Sequence, residues 1–266
     1  MILEKEAFCM SKILWINPVG TDVFDADIKK ALESIKRPGM QVDVVSLKRG
    51  PKHLEYRYYE ALIIPDTLHL LKQAEKDGYD GAVIGCFYDP GLMDAREMLS
   101  KMVVTAPEEA CVHIAATLGH RFSVIVTEDL CIPQMMDNVT VYGLKDKLAS
   151  FKSLGLGVYD LHADEQETIR RLKDRAKEAV EKDKAEVIVL GCTIQFGFYK
   201  ELQEYLNVPV IDAIVGPYKY IEFMVELKQK FGWLHSKRYG FESPPVKEIR
   251  EWALLEQYGI KGLWND

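Results

Sequence analysis

No run of the 266-residue chain comes near the ~18 consecutive apolar residues that carry a helix across a bilayer, so no transmembrane helix is expected. Nor is there a basic stripe. The net charge is −7 and the pI about 5.5, with lysines and arginines scattered among acids, which argues against a nucleic-acid surface. Cysteine is sparse: five residues, Cys9, Cys86, Cys111, Cys131 and Cys192, are odd in number and widely spaced, which excludes a disulfide framework. No Cys-x-x-Cys pair occurs, and the histidines (His53, His69, His113, His120, His162, His235) never recur at a ligand spacing. His113 lies near Cys111, but residues two apart on a helix do not face each other. No metal is expected, and without a lysine-bearing cofactor motif the chain is expected to need no cofactor. The stretch from Met1 to Cys9 is charged and lacks the basic-then-apolar order of a signal peptide, which implies a cytoplasmic protein.

What the chain does have is a repeat. Val83-Ile84-Gly85-Cys86-Phe87-Tyr88-Asp89-Pro90-Gly91 and Val189-Leu190-Gly191-Cys192-Thr193-Ile194-Gln195-Phe196-Gly197 share one form: a short apolar run, Gly-Cys, then a helical segment. A second apolar stretch follows each, ending at Ala106 and Ala213, at almost equal distance from the cysteine. A buried parallel strand reads as such a run and delivers the next residue to its carboxyl edge, where open α/β sheets bind ligands. Two related α/β halves are therefore expected, each presenting one thiol. No low-complexity linker separates them, so they should be tightly apposed.

Taken in order, the pattern predicts a strand over 12–16, a turn whose Thr21 or Asp22 caps a helix over 23–35, and a strand over 42–47. An irregular, tyrosine-rich loop over 49–59 and a helix over 61–76, with Pro65 near its start, lead to the Cys86 strand. Asp89 as cap and Pro90 in the first turn predict a helix over 91–100. Helices over 107–118 and 165–182, strands over 122–126 and 156–159, and helical stretches near 132–137 and 143–151 make up the second half. A long helix over 216–230 and a last one over 246–258 close the chain.

A single free cysteine is most often a buried small hydrophobe, and Cys9, Cys111 and Cys131 are read that way. Cys86 and Cys192 differ because both stand after glycine at the same repeat position. Glycine allows close approach, and the helix start beyond each cysteine should lower its thiol pKa. His53, in the long loop, is the one histidine placed to matter. Met135-Met136 and the tyrosines of 56–59 read as packing.

The motifs Gly85-Cys86-Phe87-Tyr88-Asp89-Pro90-Gly91-Leu92 with Ala95-Arg96-Glu97, Glu108-Glu109-Ala110, Leu118-Gly119-His120-Arg121-Phe122-Ser123-Val124, Leu190-Gly191-Cys192 and Val208-Pro209-Val210-Ile211-Asp212 carry a resemblance. In this order they resemble the aspartate/glutamate/hydantoin racemase superfamily, hydantoin racemase branch, over about 13–227. The resemblance implies an α/β fold of two pseudo-symmetric flavodoxin-like domains with mainly parallel sheets and an active site in the interdomain cleft. The first domain would be discontinuous, 1–105 plus 215–266, and the second would be 106–214. It also implies a cofactor-independent racemase with Cys86 and Cys192 as the acid/base pair, substrate contacts from Asn17, Thr21, Phe87, Tyr88 and Thr193, a small-molecule substrate and a homo-oligomer. Tyr88 stands where the branch usually has glycine.

Such a pair suits proton exchange at a carbon next to a carbonyl, one thiolate removing the proton while the opposite thiol donates to the other face. One thiol must be ionised and the other protonated, so the two titrate as a unit. A 5-substituted hydantoin or related cyclic ureide fits, because its ring carbonyl acidifies the carbon. An amino-acid racemase would need charges for a free carboxylate and ammonium, and Arg57 is the loop cation singled out for that part. A non-catalytic binding protein on this fold would not need both cysteines.

Overall fold

The computed structural model describes residues 10–264, so Cys9 lies outside the described residues. Each repeat is a four-stranded sheet. The first contains β1 (Ser11–Asn17), β2 (Met40–Ser46), β3 (Gly81–Ile84) and β4 (Val103–Thr105) in the order β2-β1-β3-β4. The second contains β5 (Phe122–Val126), β6 (Leu148–Ser153), β7 (Val187–Leu190) and β8 (Val210–Ile211) in the order β6-β5-β7-β8. Every pairing is parallel, and the two orders are the same path walked twice. β3, β5 and β7 are buried along their whole length, which is why they read as unbroken apolar runs.

The connecting helices are α1 (Asp25–Ile35), α2 (Arg57–Lys76) and α3 (Leu92–Met98) in the first half. The second has α4 (Pro107–Leu118), α5 (Ile132–Val141), α6 (Glu165–Glu181) and α7 (Tyr199–Leu206). α8 (Val215–Phe231) comes after the second sheet yet packs on the first, where Tyr218, Ile221 and Val225 share a core with Ile13, Trp15 and Val83. A side chain at Gly81 would come within 2.7 Å of Val225, so the glycine admits α8 to the strand. The halves also share a core: Leu14, Ile16 and Ile84 belong to one buried cluster with Phe122, Val124 and Val189. Cys111, on α4, is fully buried against α8, with its Sγ 3.7 Å from the Asp212 carbonyl, and acts as packing.

Several local expectations are corrected. The strand expected at 156–159 lies earlier, as β6, in the region expected to be helical; it is an edge strand, half-buried at every residue, so no apolar run marks it. α2 begins at Arg57, inside the expected loop, and Pro65 lies in its interior at an exposed position, where the carbonyl of exposed Ala61, which a proline cannot serve as the usual i+4 donor, is open to water. Neither Thr21 nor Asp22 caps α1; its N-cap is Phe24, with no side-chain cap. The last predicted helix breaks at Ala253, whose φ is +51°, into α9 (Val246–Glu251) and α10 (Leu254–Gln257).

Candidate active site

The strand order of each sheet reverses between its two central strands, and the residues just past those strand ends meet in one cleft. Asn17 ends β1 and Cys86 follows β3, while Thr127 follows β5 and Cys192 follows β7. Cys86, Cys192, Asn17, Thr21, Phe87, Tyr88 and Thr193 all line this cleft. The repeat thus brings the expected residues together, one cysteine turn from each sheet.

The glycine before each cysteine is a matter of space. Gly85 N–H donates to the Ile16 carbonyl at 2.7 Å, and Gly191 N–H to that of Ile125 at 2.8 Å, so each turn lies against the neighbouring strand end. A Cβ at Gly85 would sit 2.4 Å from the Trp15 indole nitrogen, and one at Gly191 2.8 Å from Val124. The same indole donates to Asn17 Oδ1 at 2.8 Å, while Asn17 Nδ2 donates to Asp25, which fixes the Asn17 amide at the cleft. Thr193 Oγ1 donates to the Gly85 carbonyl at 3.4 Å and ties one cysteine turn to the other.

A family model described as Asp/Glu/Hydantoin racemase matches residues 13–215. The chain belongs to this family. It is 37% identical to the hydantoin racemase of Pseudomonas sp. (strain NS671) over 93% of this chain and 97% of that protein. It is 33% identical to that of Paenarthrobacter aurescens over 89% and 99%. Among solved structures, allantoin racemase from Klebsiella pneumoniae superposes with a TM-score of 0.82 at 28% identity, over 88% of this chain and 94% of that one. The protein is therefore an isomerase, a racemase of the two-domain Asp/Glu racemase fold.

The racemase does not lower its thiol pKa values in the way its helix starts suggested. Backbone N–H groups do face the sulfurs, from Tyr88 at Cys86 and from Ile194 and Gln195 at Cys192. Burial outweighs them, with Glu60 and Glu55 adding like charge, so Cys86 lies well above its ordinary value and Cys192 is pushed up to about 12. Both residues are only partly buried by surface, but the thiols are crowded by protein. α3 begins only at Leu92, six residues past Cys86, and not at the turn that carries the sulfur.

Asp89 has a different task from the expected one. Its carboxylate accepts from Glu108 N–H at 2.8 Å, Glu109 N–H at 2.7 Å and Tyr142 O–H at 2.6 Å, so it caps α4 and not α3. Asp89 holds a φ of +51° to do so. Asp212 mirrors it: Oδ1 accepts from Ile214 and Val215 N–H at the start of α8, at 2.7 and 3.0 Å, and Oδ2 from Gly197 N–H at 3.3 Å. Each cysteine-bearing segment is thus tied to the helix that follows the next strand.

Some cleft residues were not expected. Cys131, read as packing, lines the cleft beside Tyr88, with Thr127 Oγ1 3.3 Å from its sulfur. Met135 and Val158 also line it. Lys52 and Glu55 enter from the loop between β2 and α2, whose length was their only signal in the sequence, together with His53, the histidine singled out there. Arg57 does not enter; it sits on α2 and pairs with Asp137 at 3.3 Å on the surface. Among the described residues, no group of three His, Cys, Asp or Glu side chains is arranged to hold a metal ion.

Proposed function

We propose that this racemase inverts the carbon next to a carbonyl in a cyclic ureide, a 5-substituted hydantoin, by two-base proton exchange between Cys86 and Cys192. The observation that supports it best is the meeting of two Gly-Cys turns from two sheets in a single cleft. One thiolate takes the proton as the C–H bond breaks and an S–H bond forms; the other thiol releases its proton to the opposite face of the carbon. Two electrons of the C–H bond pass into the carbonyl as an enolate, which backbone N–H groups of the cysteine turns stabilise. Asn17, Thr21, Phe87, Tyr88 and Thr193 hold the ring. The domains would be 1–105 plus 215–266 and 106–214, an assignment favoured by the packing of α8 on the first sheet. We carry forward from the sequence a cytoplasmic location and no cofactor, and with the family resemblance a small-molecule substrate and a homo-oligomer.

Chiral chromatography of 5-substituted hydantoins and free amino acids, with chelator present and no pyridoxal phosphate, tests the reaction. Racemised hydantoins, and loss of that activity on thiol alkylation, are expected. Activity abolished by chelation and restored by a divalent metal would sink the two-thiol reading.

Tyr88→Gly is expected to widen the cleft toward bulkier 5-substituents. Tyr88 is 8% exposed and part of the shared core, so the truncation should also cost roughly 3–5 kcal/mol of stability, more than its place beside Cys86 alone implies. An unchanged substrate ranking for small and bulky substituents would mean that Tyr88 does not limit the pocket.

A further inference from the structure

We infer that Glu55 is a specificity-determining residue that keeps carboxylate-bearing ligands out of the cleft, above all the ring-opened ureido acid formed when a cyclic ureide is hydrolysed. This rests on the cyclic-ureide reading of the site. Among the described residues lining the cleft Glu55 is the one carboxylate, and none is an arginine. Its side chain is only 16% exposed and is held from both halves of the molecule: Oε1 accepts from Val158 N–H at 2.7 Å, and Oε2 lies 3.1 Å from His53 Nδ1. The Glu55 charge reaches the reacting end of the cleft, where it opposes ionisation of the Cys192 thiol. Lys52, the lining lysine, is exposed, and its carbonyl accepts from Tyr159 O–H at 3.1 Å across the same seam.

A cyclic ureide and its ring-opened acid carry the same side chain, so the apolar wall of Phe24, Leu54, Met135 and Val158 cannot tell them apart. They differ in charge. Hydrolysis adds water across a ring amide and leaves a carboxylate, and a carboxylate several ångströms from a fixed Glu55 in a partly desolvated cleft is disfavoured by about tenfold or more. Glu55 would thus let the neutral ring in while rejecting the anion.

The full-length enzyme can be assayed with 5-benzylhydantoin as substrate and N-carbamoylphenylalanine as inhibitor. Glu55→Gln keeps an oxygen for the Val158 N–H but removes the charge, and its inhibition constant is expected to fall about tenfold or more below that of the unmodified enzyme. Glu55→Asp should retain the resistance. Equal inhibition of the unmodified enzyme and Glu55→Gln overturns the inference, as does Glu55→Asp behaving like Glu55→Gln, which would assign the effect to loop geometry. Should the unmodified enzyme fail to racemise 5-benzylhydantoin, the cyclic-ureide reading fails by itself. Calorimetric affinity for N-carbamoylphenylalanine then tests Glu55: tighter binding by Glu55→Gln supports it, and equal binding refutes it.

Discussion

Cys86→Ser and Cys192→Ser are each expected to lower racemisation by roughly 10³-fold, because a hydroxyl in place of either thiol ionises far above any working pH and removes one of two proton-transfer groups. Exchange need not fall equally. In deuterated water the remaining thiolate can still remove and return a proton on its own face, so one enantiomer takes up deuterium without inverting. The other variant should do this to the opposite enantiomer. Such a mirror preference would follow from two thiols on opposite faces of the bound carbon, as their origin in two sheets suggests. Near-normal racemisation by Cys192→Ser would instead make Cys192 structural and point to a one-cysteine mechanism.

Asp89→Ala is expected to be the most damaging substitution that leaves both thiols in place. It strands the N–H groups of Glu108 and Glu109 and the Tyr142 hydroxyl, all bonded to one buried carboxylate. Leaving a buried donor unpaired costs about 1–3 kcal/mol, and three sharing one cavity should cost roughly 3–5 kcal/mol together. That is a large share of the ~5–15 kcal/mol by which a domain is stable. Asp89→Asn, which keeps an acceptor oxygen, should lose less. Urea midpoints for the two variants decide the point, and an Asp89→Ala protein within 1 kcal/mol of the parent would show that Asp89 is not the anchor of the Cys86 turn.

The parts of the molecule that could be read from the sequence are those whose surroundings are uniform. β3 and β7 are buried on both faces, so Val83-Ile84 and Val189-Leu190 announce themselves, and the Gly-Cys that follows each is placed by the strand end. Where the surroundings are mixed, the reading fails. β6 is half-buried throughout and leaves no pattern. Asp89 looks like a cap for the helix beside it, and only the tertiary fold reveals that the start of α4 is the nearer partner. Cys131 sits a helical turn from Thr127 but carries no mark of the cleft, and Glu55 is held there by Val158, 103 residues away, a meeting that its loop does not foretell.

The packing of α8 on the first sheet has a consequence for how the chain is made. Gly81 and the inner faces of β1 and β3 are synthesised early, but Tyr218, Ile221 and Val225, which cover them, leave the ribosome more than a hundred residues later. Until then the first sheet lacks one of its walls, whereas β5 to β8 have most of their partners already in hand. The half of the molecule translated first is the half completed last, and a nascent chain stalled before α8 would hold its open sheet exposed to chaperones.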